Sequence, residues 1–128
     1  MEKYEIKGSP KTPTITFDLV QGEMEISGRS IPENSIDFYR PLLDSIDKYS
    51  SIAKPVTTVN IKLEYLNTAS SKCILDVFRK LETIHKAGSA IIVNWYYEDD
   101  DDEMLEAGEE YSFSVSVPFK MVAVTKEE

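Results

Sequence analysis

The chain has 128 residues, 41% of them hydrophobic and 29% charged, with a formal net charge of −9. That length fits one α/β domain, spanning 1–128, with a real core. The negative charge argues against nucleic acid and anionic membrane surfaces, which need Lys and Arg to neutralise phosphates, and favours a protein partner with a basic patch. One cysteine and one histidine leave no internal disulfide and too few ligands for a structural zinc. No apolar run nears the roughly 20 residues that span a bilayer, and the start lacks a signal-peptide stretch, so a cytoplasmic setting is expected.

Residues 1–13 are polar, carry Pro10 and Pro13, and read as a loosely held arm. From Thr14 to Val20, Ile15, Phe17 and Leu19 alternate with polar residues, the period of a half-buried strand. A turn at Gln21-Gly22-Glu23 leads to Met24 and Ile26, completing a hairpin. Asn34 or Ser35 can cap the next element, whose Phe38, Tyr39, Leu42, Leu43, Ile46 and Tyr49 recur at helical spacing. Pro41 within it either kinks the helix or marks a first turn.

Val56 to Leu66 alternates cleanly, with Val59, Ile61, Leu63 and Tyr65 facing one way. A helix follows, its apolar stripe formed by Ile74, Leu75, Phe78, Leu81 and Ile84, and Gly88 suits its end. Ala90 to Tyr97 reads as a strand buried on both faces. Strand, helix, strand with short links implies a parallel pair and a right-handed crossover. Within the acidic stretch Glu98–Glu110, Met104, Leu105 and Ala107 suggest a short helix ending at Gly108. A last strand is predicted over Tyr111, Phe113, Val115 and Val117, interrupted by Pro118. The order is β-β-α-β-α-β-(short α)-β: a mixed sheet of about five strands packed by two main helices.

The most informative segment is the strand-to-helix corner Tyr65-Leu66-Asn67-Thr68-Ala69-Ser70-Ser71-Lys72. A helix start offers free N–H groups and the positive end of the dipole, both suited to an anion. The hydroxyls of Thr68, Ser70 and Ser71 can therefore cap the helix, bind a phosphate or accept one covalently. Ser70 and Ser71 are the favoured caps. Phosphorylation there would add about −1.5 to −2 charge while sparing the fold.

Other constellations carry less. Cys73 and His85 lie about 18 Å apart on a continuous helix, too far for a dyad. Glu98-Asp99-Asp100-Asp101-Asp102-Glu103 lacks the glycine and the leading helix of an EF-hand. It reads as a solvated segment, or as a surface (Asp101, Asp102, Glu103, Glu106) that docks a basic partner. Trp95, Tyr96, Tyr97, Tyr111 and Phe113 read as mostly core on adjacent strands. No glycine-rich phosphate loop is present, and no cofactor or metal site is expected.

With these pieces placed, the chain resembles the SiaC family of bacterial regulatory phosphoproteins. The resemblance rests on Phe38-Tyr39-Arg40-Pro41-Leu42-Leu43, the corner from Tyr65 to Lys72, Asn94-Trp95-Tyr96-Tyr97, Asp102 to Glu110, and Pro118-Phe119. It implies a non-enzymatic partner switch. By that resemblance Thr68 is the acceptor for a Ser/Thr protein kinase and is released by a PPM-type phosphatase, with Asn67, Ser70, Ser71 and Lys72 around it. It also implies that the unphosphorylated form activates a diguanylate cyclase, raising cyclic di-GMP and promoting biofilm. Two alternatives remain open on the residues alone: a constitutive adaptor in which Thr68 only caps its helix, and a small enzyme using Cys73 or the acidic segment.

Overall fold

The computed structural model describes residues 3–125, so the ends of the 1–128 span (Met1, Glu2 and residues 126–128) lie outside it. Nine elements run in chain order: β1 (Lys3–Ile6), β2 (Thr14–Asp18), β3 (Glu23–Ser30), α1 (Ser35–Tyr49), β4 (Val56–Leu66), α2 (Thr68–Lys86), β5 (Ala90–Glu98), α3 (Asp102–Ser114) and β6 (Phe119–Val124). The strands form one sheet in sequential order, with β1–β2 and β2–β3 antiparallel and β3 through β6 parallel. The expected α/β class and mixed sheet are therefore present. Three helical crossovers step the same way across the sheet, and right-handed connections then place all three helices on one face.

Residue rows across the strands show the same layering. Phe17, Met24, Val59, Val93 and Phe119 are register partners in one row, and Ile15, Ile26, Ile61, Trp95 and Met121 in the next. Those on β2 to β5 are buried beneath the helices. The opposite face is a polar row of Thr16, Glu25, Asn60, Asn94 and Lys120. β5 is thus buried on one face, not two: Ile91, Val93 and Trp95 point inward while Ile92 is exposed.

Four further readings are corrected. The N-terminal stretch is not wholly loose, because Tyr4 and Ile6 pair with Phe17 and Ile15 and make β1 a sixth, edge strand. Pro41 does not mark the first turn of α1: it lies inside the helix, on its exposed side, six residues after the start at Ser35 and its Asn34 cap. Tyr65 is exposed, not inward: Gly28 pairs with Leu63 but Arg29 with Tyr65, so Glu64 is the extra residue of a bulge and alternation flips.

The fourth concerns α3, which does not stop at Gly108 but continues to Ser114. Gly108 is needed for a close approach, because a Cβ there would meet Trp95 Cδ1 at 2.5 Å. Tyr111 is accordingly the inward residue of a helix, Phe113 is 89% exposed, and the strand begins only after Pro118. The Trp95 indole N–H donates to Met104 O at 2.9 Å, and Phe78, Trp95, Tyr111 and Phe119 interlock at centroid distances of 5.0–6.4 Å. This aromatic cluster fixes α3 against α2 and the end of the sheet.

Candidate functional site

The corner lies where β4 ends and α2 begins, at the edge of the sheet that also carries the starts of α1 and α3. Asn67 holds it. Its backbone N–H donates to Ser30 O at 3.0 Å, and its side-chain Oδ1 accepts from Ser70 N at 2.8 Å. Asn67 is therefore the N-cap; the expectation that Ser70 or Ser71 caps the helix is corrected, as is a capping role for Thr68. An Asn side chain at this extended position reaches the third helical amide, while the serines already lie inside the helix.

The three hydroxyls meet different fates. Ser70 is fully buried: its Oγ donates to Ser30 O at 3.1 Å, accepts from Ser30 Oγ at 2.7 Å, and lies 3.3 Å from Ser35 Oγ. Ser30 Oγ is in turn 2.6 Å from the Tyr39 hydroxyl, whose acidity burial suppresses strongly. Ser71 is half-buried and tied to α3, its Oγ 2.9 Å from the Tyr111 hydroxyl, which donates to Ser71 O at 2.9 Å. Burial raises the Tyr111 pKa as well. Thr68, the first residue of α2, is exposed, and its hydroxyl has no hydrogen-bond partner among the described residues.

The amides of Thr68 and Ala69 are first-turn donors for which a helix supplies no acceptor. The first turn of α2 contains no acidic residue. Lys72 is exposed one turn further on and forms no ion pair among the described residues.

A groove of about 300 Å³ opens beside Thr68, lined by Glu64, Tyr65, Leu66, Asn67, Thr68, Ser71, Asp101, Glu103, Met104 and Ala107. Two of the four candidate acidic residues thus come to the corner. Asp101 is also the N-cap of α3, accepting from Met104 N at 3.0 Å. Asp102 and Glu106 are exposed on α3 and do not line the groove. Sequence reading did not bring Ser30, Ser35 and Tyr39 to the corner: Ser30 from β3 and Ser35 from α1 reach Ser70, and Tyr39 reaches Ser30. It missed Tyr111 because that residue was assigned to a strand.

The catalytic alternatives find little support. Cys73 is buried within α2, and burial, then the neighbouring Asp76 charge, raises its thiol pKa. His85 sits near the other end of the helix, where Nδ1 accepts from Ile91 N at 3.0 Å. Among the described residues no group of three His, Cys, Asp or Glu is arranged to hold a metal, and no helix is long and apolar enough to cross a membrane.

Comparison with known proteins places this geometry. The model of the SiaC family regulatory phosphoproteins matches residues 6–124. The chain belongs to the SiaC family. An uncharacterised protein of Pseudomonas aeruginosa strain UCBPP-PA14 is 29% identical over 123 residues, covering 96% of this chain and 98% of that one. The solved structure of SiaC of P. aeruginosa superposes with a TM-score of 0.88 at 29% identity, covering 97% of this chain and all of that one. A crystal structure of diguanylate cyclase SiaD in complex with its activator SiaC, also from P. aeruginosa, matches with a TM-score of 0.88 at 29% identity. The match covers 94% of this chain and 99% of the matched one.

Proposed function

We propose that this SiaC-family chain is a non-catalytic cytoplasmic switch whose phosphorylation on Thr68 controls binding to, and activation of, a diguanylate cyclase. One observation carries the reading: of the corner hydroxyls, Ser70 is fully buried and Ser71 is bonded to α3, so only Thr68 offers an exposed, uncommitted hydroxyl. The complex formed by the P. aeruginosa relative supports the nature of the output. A Ser/Thr protein kinase adds the phosphate and a PPM-type phosphatase removes it. Asn67 shapes the corner, Ser70 and Ser71 anchor it, and Lys72 borders it.

The physics of the switch follows from placement. A phosphate on the first residue of α2 meets free amides and the positive dipole end, a gain of about 0.3–1 kcal/mol that leaves the fold intact. The groove lining supplies Glu64, Asp101 and Glu103 and no Lys or Arg, which leaves the exposed Lys72, one turn along α2, as the phosphate's cationic neighbour on the helix. The new dianion therefore stays hydrated and faces outward, where a partner seated on a neutral hydroxyl would have to strip its water. Incubation with the cognate kinase and ATP, followed by peptide mass mapping, tests the assignment. Phosphate on Thr68, lost in Thr68→Ala, is expected; modification confined to Ser71 or to any other residue overturns it.

A further inference from the structure

The groove beside Thr68 has a composition that folding alone does not require. Its apolar lining is Leu66 and Ala107, both half-buried, and the buried Met104, together with Tyr65, which is 47% exposed. Its rim carries Glu64, Asp101 and Glu103, and no Lys or Arg lines it. At about 300 Å³ it lies at the bottom of the range of small-molecule sites, room for a side chain rather than a cofactor. The free chain thus leaves apolar surface wet beside three carboxylates, with the Arg29 guanidinium stacked on the Tyr65 ring, 5.6 Å from its centroid.

We infer that this groove seats one bulky apolar side chain of the cyclase, presented on a segment whose flanking residues are Lys or Arg. The inference rests on the switch reading above and names the chemistry of its partner. An apolar anchor in a small pocket with a charged surround is how recognition surfaces concentrate binding energy. The acidic rim gives orientation and speeds encounter with a basic segment. Thr68 and Ser71 form one wall, so a phosphate on Thr68 puts a hydrated dianion at the mouth the anchor must pass. The phosphate adds to the rim's attraction for the basic flank, so the block is one of volume and hydration at the mouth, which the anchor cannot pass without stripping water from the dianion.

The test measures affinity of the full-length diguanylate cyclase from the organism that makes this chain for wild type, Ala107→Phe and Glu103→Lys. Each is titrated at about 50 mM and about 500 mM NaCl, with thermal melts of every variant. Ala107→Phe fills the groove and is expected to weaken binding at least about tenfold with the melting curve essentially retained. Glu103→Lys is expected to weaken binding about threefold at low salt, with a smaller dependence on salt than wild type. If wild type binds in a phosphorylation-sensitive way but both variants bind as it does, the groove seat is overturned and the switch stands. If wild type fails to bind, or binds equally when phosphorylated, the switch reading fails and the seat with it. Should Ala107→Phe not fold, Glu103→Lys decides alone: unchanged affinity and salt dependence overturn the seat.

Discussion

Two helix starts face each other across the groove, and their first turns are built differently. α3 begins at an Asp101 cap followed by Asp102 and Glu103, so its dipole is answered by the chain's own carboxylates. α1 likewise carries Asp37 in its first turn. α2 begins at a neutral Asn67 cap and has no acidic residue in its first turn. In a chain of net charge −9 that omission leaves one helix start without its own anion. The contrast shows how a corner can tolerate a phosphate: the favourable site is kept open on α2, while the start of α3 is already answered by its own carboxylates.

The largest effect on this contrast is expected from Gly108→Ala. Its new methyl group would meet the Trp95 indole at 2.5 Å, against a ring already committed to Met104 O. Overpacking of this kind costs about 1–3 kcal/mol, read as a lower urea midpoint, and displaces α3 from the groove. Unchanged stability would show that α3 is not fixed by this contact. Next comes Asn67→Ala, which strips α2 of its cap and exposes Ser70 N. It should lower stability by about 1 kcal/mol, whereas Thr68→Ala should stay within about 0.5 kcal/mol. Equal losses at the two positions would mean that Thr68 has a structural role.

A smaller effect is expected from supplying α2 with the acid it lacks. Ala69→Glu, at an exposed first-turn position, should add about 0.3–1 kcal/mol at low salt, and the gain should fade as salt rises. No gain would mean the dipole at this corner is already satisfied.

The last effect concerns acid. Glu82 on α2 accepts from Ser116 N at 2.6 Å, pinning the α3–β6 link, and that bond holds its pKa below the usual glutamate value. A depressed carboxylate stabilises the fold above its ordinary pKa, and that contribution disappears as pH falls through the lowered one. Glu82→Gln should therefore flatten the acid side of a melting-temperature profile while changing little of its shape at neutral pH. An unaltered acid limb would remove Glu82 from the account.

Local pattern made α2, β4 and the corner readable, because alternation and the helical stripe each stayed in phase for two or more turns or pairs. Phase broke where tertiary contacts intervened. The Glu64 bulge turned Tyr65 outward, and its mark in the sequence is not on β4 but on the partner strand, where Gly28 takes a positive φ at the register shift. Tyr111 near the end of α3 and Val115 and Val117 beyond it are all buried, which imitates an alternating strand; the helical partners of Tyr111 are Met104 and Gly108, and Gly108 resembles a terminator until Trp95 is seen above it. β1 has only four residues, too few for alternation to stand out. At the site, the hydroxyl cluster was legible, but the sorting of its members was not. That sorting depends on Ser30, Ser35 and Tyr39, brought from distant positions by the fold.

The most direct test of the central claim is a titration of the diguanylate cyclase with the chain purified in two states, unphosphorylated and quantitatively phosphorylated on Thr68, with cyclic di-GMP production as the readout. Stimulation by the unphosphorylated form, lost on phosphorylation and regained after treatment with a PPM-type phosphatase, is the expected result. Equal stimulation by both forms would contradict it.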